Sequence, residues 1–159
     1  MTQKLDLGWR NGGLGRALSN FCAYSFVLDG VQCGSMEGWL QSLKFDVQEE
    51  QEAVAALVGY QAYKIGQAGN NWRDTQTLWW KGKAYPRLSK PYHALVERAY
   101  DACFDASPQF QKSLVEAGTM ALTHVIGSHD PTMSVLTEWE YIYNVYRLRS
   151  KAQQVLWGM

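Results

Sequence analysis

The stretch 36–45 constrains the fold more than any other. At about 100° per residue, Met36, Trp39, Leu40 and Leu43 share one apolar stripe, which predicts a helix over 36–45. Glu37, Gln41 and Lys44, spaced i, i+4, i+7, form a narrow polar stripe beside it. A helix patterned this way buries one side, so the chain is expected to pack helices around a single core. At 159 residues the length suits one domain.

Turn chemistry and apolar spacing predict the rest. The first ten residues read as an arm, and Gly12, Gly13 and Gly15 as a flexible loop. No strand precedes these glycines, so they do not make a dinucleotide fingerprint. Apolar runs at 21–28 and 31–33, joined by Asp29-Gly30, predict a hairpin. Helices are expected over 48–58, ended by Gly59, and over 61–65. Residues 66–87 are the least regular, with a short strand turning at Lys81-Gly82. Pro91 opens a helix whose buried face is Tyr92, Leu95, Val96, Ala99 and Cys103, because a first turn does not need the missing N–H. Ser107-Pro108 starts another helix that runs to Ala117 and stops at Gly118. Residues 120–126 alternate like a strand, and 127–131 are a loop. The last helix is expected over 133–153, burying Val135, Leu136, Trp139, Ile142, Tyr143 and Tyr146. Trp157 is expected to hold down the tail. The whole reads as α+β, a helix-dominant single domain with a short hairpin or small sheet. The expected division is an arm at 1–13, a domain at 14–153 and a C-terminal tail at 154–159.

Charge excludes several function classes. Fifteen basic and fifteen acidic side chains cancel, which argues against a nucleic-acid coat or a basic membrane-surface protein. Charged residues make up 19%, below the roughly 25% of an average globular protein. Seven Trp, nine Tyr and five Phe imply an aromatic-rich core or cleft. No apolar run approaches the ~20 residues of a membrane span, and the N-terminus has no apolar signal region. Cys22, Cys33 and Cys103 lack metal or redox spacing and read as reduced thiols of a cytoplasmic protein. His93, His124 and His129 are scattered, and His124, His129 and Asp130 lack the spacing of a metal motif, so no metal and no cofactor are expected.

The Glu37, Gln41 and Lys44 stripe has two readings. It is either a solvated helix face or a carboxylate and an ammonium held one to two turns apart in a cleft. The second arrangement suits glycosidic bond cleavage, where charge develops at a sugar carbon. Leu18-Ser19-Asn20-Phe21 is likewise either a turn feeding a strand or a loop whose amide and hydroxyl bind a ligand, with Phe21 as an apolar wall.

Together, Leu18-Ser19-Asn20-Phe21 and Ser35-Met36-Glu37-x-x-x-Gln41-x-x-Lys44-Phe45 resemble the paired signature of the YbiA-like, or NADAR, family. Looser likenesses are Ala62-x-x-x-Gly66, residues 95–118 and Leu148-Arg149, so the resemblance spans about 14–150. The Lys81-Gly82-Lys83 insertion and the compact size resemble small phage-encoded members, which implies a host-cytoplasmic location. The family's pattern differs here at Met36 and Gly38, and its D-x-x-W-G-x-G segment has Asp130 as its best counterpart. The resemblance implies a YbiA-like fold and hydrolysis of an N-glycosidic bond. The implied substrates are a ribosyl or ADP-ribosyl N-glycoside, such as ADP-ribosylated guanine in nucleic acid or a riboflavin-pathway intermediate. It assigns Glu37 as the catalytic carboxylate, activating water or stabilising an oxocarbenium-like centre, and Lys44 as its partner. Gln41, Ser19, Asn20 and Phe21 would line the pocket. Trp72, Trp79 or Trp80 would stack on the base, Arg16 would meet a phosphate, and Asp130 would hold the far side.

Two other functions stay open. One is a non-catalytic module that binds ADP-ribose or a nucleotide. The other is a nucleic-acid contact made by Trp79-Trp80-Lys81-Gly82-Lys83 with Tyr85 and Arg87, where aromatics stack bases and cations meet phosphates.

Overall fold

A computed structural model describes the backbone of residues 2–157 and the side chains of 2–155. The N-terminal segment is tied down rather than loose. Strand β1 (Lys4–Asp6) pairs in parallel with a strand 117 residues later, Lys4 opposite Ala121 and Asp6 opposite Thr123. A 3-10 turn (Trp9–Asn11) follows, then helix α1 (Gly13–Ala17) where a flexible glycine loop was expected. Gly15 explains the difference. A Cβ there would lie 2.5 Å from the Asp6 carbonyl oxygen, so the glycine serves close packing of α1 on β1.

The hairpin expected at Asp29-Gly30 is present as β2 (Phe26–Leu28) and β3 (Val31–Cys33). Both turn residues have positive φ, 49° and 81°, the geometry that matches strand twist. Residues 21–25 are not strand, because Ser19 and Arg16 hold that segment in turns. Helix α2 (Met36–Ser42) runs on through turn hydrogen bonds to Phe45. Next come α3 (Gln48–Ala55) and α4 (Gly59–Gly66), and Gly59, at φ 54°, opens α4 instead of ending α3. A short helix α5 (Trp72–Thr75), not expected from sequence, precedes the hairpin β4 (Thr77–Trp80) and β5 (Lys83–Pro86). Long α6 (Lys90–Ala106) and α7 (Pro108–Glu116) start where Pro91 and Pro108 put them, each N-capped by a serine side chain. Strand β6 (Ala121–Thr123) returns to β1, and α8 (Glu138–Trp157) closes the chain.

The last helix differs most from expectation. It begins at Glu138, five residues late, because Thr137 and Glu140 form a reciprocal capping box. Glu140 N donates to Thr137 Oγ1 at 3.3 Å, and Thr137 N donates to Glu140 Oε1 at 2.7 Å. The buried face of α8 is therefore Tyr141, Ile142, Val145, Leu148 and Ala152. Trp139 and Tyr143, expected inside, are 68% and 55% exposed. The Trp157 side chain lies outside the described residues.

The result is a helix-dominant α+β domain with three two-stranded sheets among the described residues. Its core joins Trp39 and Leu43 of α2 with Tyr92, Leu95 and Tyr100 of α6, Leu114 of α7, and Val145 and Leu148 of α8. No described helix is long and apolar enough to cross a membrane.

Candidate active site

Ser35 caps α2 by accepting from Gly38 N at 3.0 Å, and its hydroxyl donates to the Leu57 carbonyl at 3.0 Å. A Cβ on Gly38 would come within 2.3 Å of that same carbonyl, so α2 lies directly against the end of α3. This contact turns the polar stripe toward the loop that carries Ser19, Asn20 and Phe21. Glu37 N donates to the Asn20 carbonyl at 3.0 Å, joining helix start to loop. Two buried tyrosines brace the loop from behind. Tyr100 of α6 donates to Asn20 Oδ1 at 2.9 Å, and Tyr141 of α8 donates to the Leu18 carbonyl. With its carbonyl oxygen so used, Asn20 has its amide NH2 left to offer a ligand.

Glu37 lies on the floor of a cleft of about 690 Å3. Its carboxylate is buried and accepts from Gln41 Nε2 at 2.8 Å. Among the described residues no cation lies within ion-pair distance of it. Burial pushes its carboxyl above the ordinary range, and the Gln41 hydrogen bond and the Lys44 charge offset this only in part. Lys44 stands behind the cleft wall, donating to the Gly66 carbonyl at 3.2 Å and to Asn70 Oδ1 at 3.1 Å. Burial pulls its ammonium down to about 8, against the opposing pull of Glu37. Both shifts move the pair toward neutral groups. Gln41 Oε1 is buried with no donor, held close to the bare Cα of Gly66.

Aromatic groups form the walls. Phe21, Tyr63 and Tyr60 make a ladder on one side, with ring centroids 6.5 Å and 6.2 Å apart. Trp9, 44% exposed, stands on the rim, and the Arg16 guanidinium covers its ring at 4.7 Å. Arg10 and Asn11 share that rim, and His124 and Tyr141 close the far end. A second carboxylate, Asp6, also faces the cleft but is fully engaged. Burial opposes its ionisation, yet hydrogen bonds from Val125 N, Thr123 Oγ1 and Asn11 Nδ2 outweigh burial and hold it below the ordinary range.

Of the residues singled out from sequence, Ser19, Asn20, Phe21, Glu37 and Gln41 line this cleft. Arg16 reaches it only through Trp9. Trp72 and Trp80 do not line it. Both are buried, Trp72 in the core and Trp80 with its indole N–H donating to Asp29 Oδ2 at 2.8 Å. Large apolar rings on a two-stranded hairpin pack inward when helices cover it, and β4 hydrogen-bonds back to α2 through Trp79 N and the Leu43 carbonyl. Asp130 is exposed in its own turn with Thr132, away from the cleft. In the 79–87 run Trp79 is half-buried. Trp80, Tyr85 and Arg87 are buried, which leaves Lys81 and Lys83 at the hairpin tip. Sequence reasoning missed Trp9, Tyr60 and Tyr63. The signal available was the i, i+3 tyrosine pair flanking small Ala62 on α4, whose rings point out while Ala62 packs in. Among the described residues no three His, Cys, Asp or Glu side chains gather to hold a metal.

The family model that matches is that of Bacteriophage protein GP30.3, over residues 13–150. This overturns the resemblance to the YbiA-like, or NADAR, family. Short strings such as Leu18-Ser19-Asn20-Phe21 and Glu37-x-x-x-Gln41-x-x-Lys44-Phe45 carried that resemblance, while the match to GP30.3 runs along most of the chain. The chain is also 35% identical to an uncharacterized 17.1 kDa protein in the Gp30-rIII intergenic region of Enterobacteria phage T4. That likeness extends over 129 residues, 79% of this chain and 84% of the relative. No solved structure matches the chain.

Proposed function

We propose that this chain, which belongs to the bacteriophage GP30.3 family, hydrolyses an N-glycosidic bond of a ribosyl or ADP-ribosyl compound. The observation that carries the reading is Glu37, a buried carboxyl with no ion-pair partner among the described residues, at the floor of an aromatic-walled cleft. A carboxyl raised by burial holds its proton to higher pH than a free one and can give it to a leaving group in the transition state. The natural recipient is the nitrogen of a departing base. The raised value favours this donor role over the water-activating one. The Phe21, Tyr63 and Tyr60 ladder and the Trp9 ring supply faces for a planar base, each stack worth about 1–3 kcal/mol in nucleic-acid binding proteins. Asn20 and Ser19 supply polar contacts for ribose or base edge, and Arg10 on the rim supplies charge for a phosphate. Lys44 acts on Glu37 through its charge alone, since its own hydrogen bonds go to Gly66 and Asn70.

The test is a product assay on ADP-ribosylated DNA, ADP-ribosylated protein, NAD and ribosylamino-pyrimidine phosphates, with release of base or sugar as the readout. Wild type releases product from at least one of these, and Glu37→Gln lowers turnover with little change in binding. Wild-type turnover by Glu37→Gln on the true substrate would sink the assignment. A second reading, a binding module without activity, is favoured by Lys44 and Asp130 standing outside the cleft. Calorimetry that finds ADP-ribose binding without any product from the panel selects that reading.

A further inference from the structure

We propose that His124 is the second acid–base group of this cleft, an unprotonated Nε2 that takes the proton of the attacking water. The inference deepens the hydrolase reading and rests on it for the reaction. The geometry of the ring stands without it.

A single carboxyl does not complete a hydrolysis. If Glu37 gives its proton to the leaving nitrogen, another group must receive the proton of water. Asp6 has both oxygens committed to Thr123, Val125 and Asn11. Tyr141 faces the cleft with its hydroxyl donated to Leu18. His124 is different. Its Nδ1 lies 2.7 Å from the Leu7 carbonyl oxygen, which can only accept, so Nδ1 must carry the hydrogen. In the uncharged form of a ring so held, the lone pair is on Nε2. That atom makes no hydrogen bond among the described residues, and His124 lines the cleft.

The ring is held on three sides. Tyr141 meets it edge to face, centroids 4.9 Å apart. The chain turns back over it, Gly127 N donating to the His124 carbonyl at 3.0 Å. A Cβ on Gly127 would lie 2.6 Å from His124 Cδ2, so the turn closes on the ring because that residue has no side chain. In many catalytic histidines a backbone carbonyl accepts from one ring nitrogen and so fixes the tautomer.

The step balances. Water oxygen bonds the anomeric carbon, and the carbon–nitrogen bond breaks with its electron pair going to the base. The water proton goes to His124 Nε2, and the Glu37 proton goes to the base nitrogen. Solvent then returns one proton from His124 to Glu37.

The experiment has two arms. In the first, nitrogen-15 NMR on the wild-type chain reads the His124 tautomer, alone and with ADP-ribose as the probe. The expected result is a protonated Nδ1 and a bare Nε2 whose signal moves when ADP-ribose saturates the Tyr63 signals. An Nε2–H tautomer, or an Nε2 signal unmoved by the saturating probe, overturns the proposal. Should ADP-ribose leave the Tyr63 signals unchanged, the tautomer alone decides. The second arm is His124→Asn, which keeps an N–H for Leu7 and removes Nε2. Its kcat is expected to fall by about 10^2- to 10^4-fold with KM within a few-fold of wild type. Turnover within threefold of wild type by the folded variant overturns the role of His124. Loss of activity in His124→Asn alone, with Glu37→Gln fully active, overturns the Glu37 reading and leaves His124 standing.

Discussion

Two glutamates, each in or beside the first turn of a helix, are treated in opposite ways. Glu140 on α8 is surrounded by donors. Arg87, itself fully buried, grips it with its two terminal guanidinium nitrogens, Thr137 donates backbone and hydroxyl, and His93 lies 2.8 Å away. Burial alone would raise its carboxyl, but the Arg87 and Thr137 contacts outweigh burial and hold it below the ordinary range. Glu37 on α2 is more deeply buried and has a single neutral donor, Gln41. The difference separates structure from chemistry. A fully satisfied charge network locks a segment in place. Here it locks the 134–137 wall of the cleft, with Arg87 Nε also donating to the Ser134 carbonyl at 2.9 Å. A carboxyl left short of partners on a cleft floor costs stability and holds its proton to higher pH than a free one.

Four measurements break or sharpen this contrast. The largest effect is expected for Glu37→Gln, a loss of turnover of about 10^2- to 10^4-fold in the product assay with the fold intact by circular dichroism. Next is Arg87→Ala, which strands Glu140 and frees the cleft wall. Urea unfolding should show a loss of about 3 kcal/mol, and a loss under 1 kcal/mol would make the network ornamental.

The third concerns pH and has opposite signs for the two residues. The folded value of Glu37 lies above its ordinary 4.5. Its contribution to stability is therefore intact below 4.5 and is lost as pH rises through the folded value. The folded value of Glu140 lies below 4.5, so its contribution is present above 4.5 and is lost as pH falls through the folded value. Stability curves should show Glu37→Gln gaining on wild type as pH rises above 4.5. The deficit of Glu140→Gln should shrink as pH falls below it. Two slopes of the same sign would erase the distinction. The smallest effect belongs to Trp139→Ala on the exposed face of α8, expected within about 0.5 kcal/mol of wild type by thermal unfolding.

Much of the local structure was legible in the residues. Asp29-Gly30 and Lys81-Gly82 turn hairpins because both positions of each need positive φ. Pro91 and Pro108 start helices for lack of an N–H to waste, and the stripe over 36–45 makes α2. The start of α8 was legible too, since Thr137-x-x-Glu140 is a capping box, but Trp139 and Tyr143, whose rings suggest a buried face, lie on the exposed one. The family was not legible in short motifs. Two strings that fit one family's pattern occur in a chain whose residues 13–150 match another.

Local chemistry determined which segments are helix or hairpin, and it set Glu37, Gln41 and Lys44 on one stripe. Which members of that stripe face the cleft, Glu37 and Gln41 but not Lys44, was decided only by packing. Gly38 and Gly66 let α2 press against the end of α3 and against α4, which buries Glu37 and turns Lys44 away toward Asn70. The same holds for the aromatic excess. Composition shows that there are many rings. Their partition into core rings such as Trp72 and Trp80 and cleft rings such as Trp9 and Tyr63 depends on which faces other elements cover. Burial belongs to pairs of distant segments, here β1 with β6 across more than a hundred residues, and no local pattern carries that information.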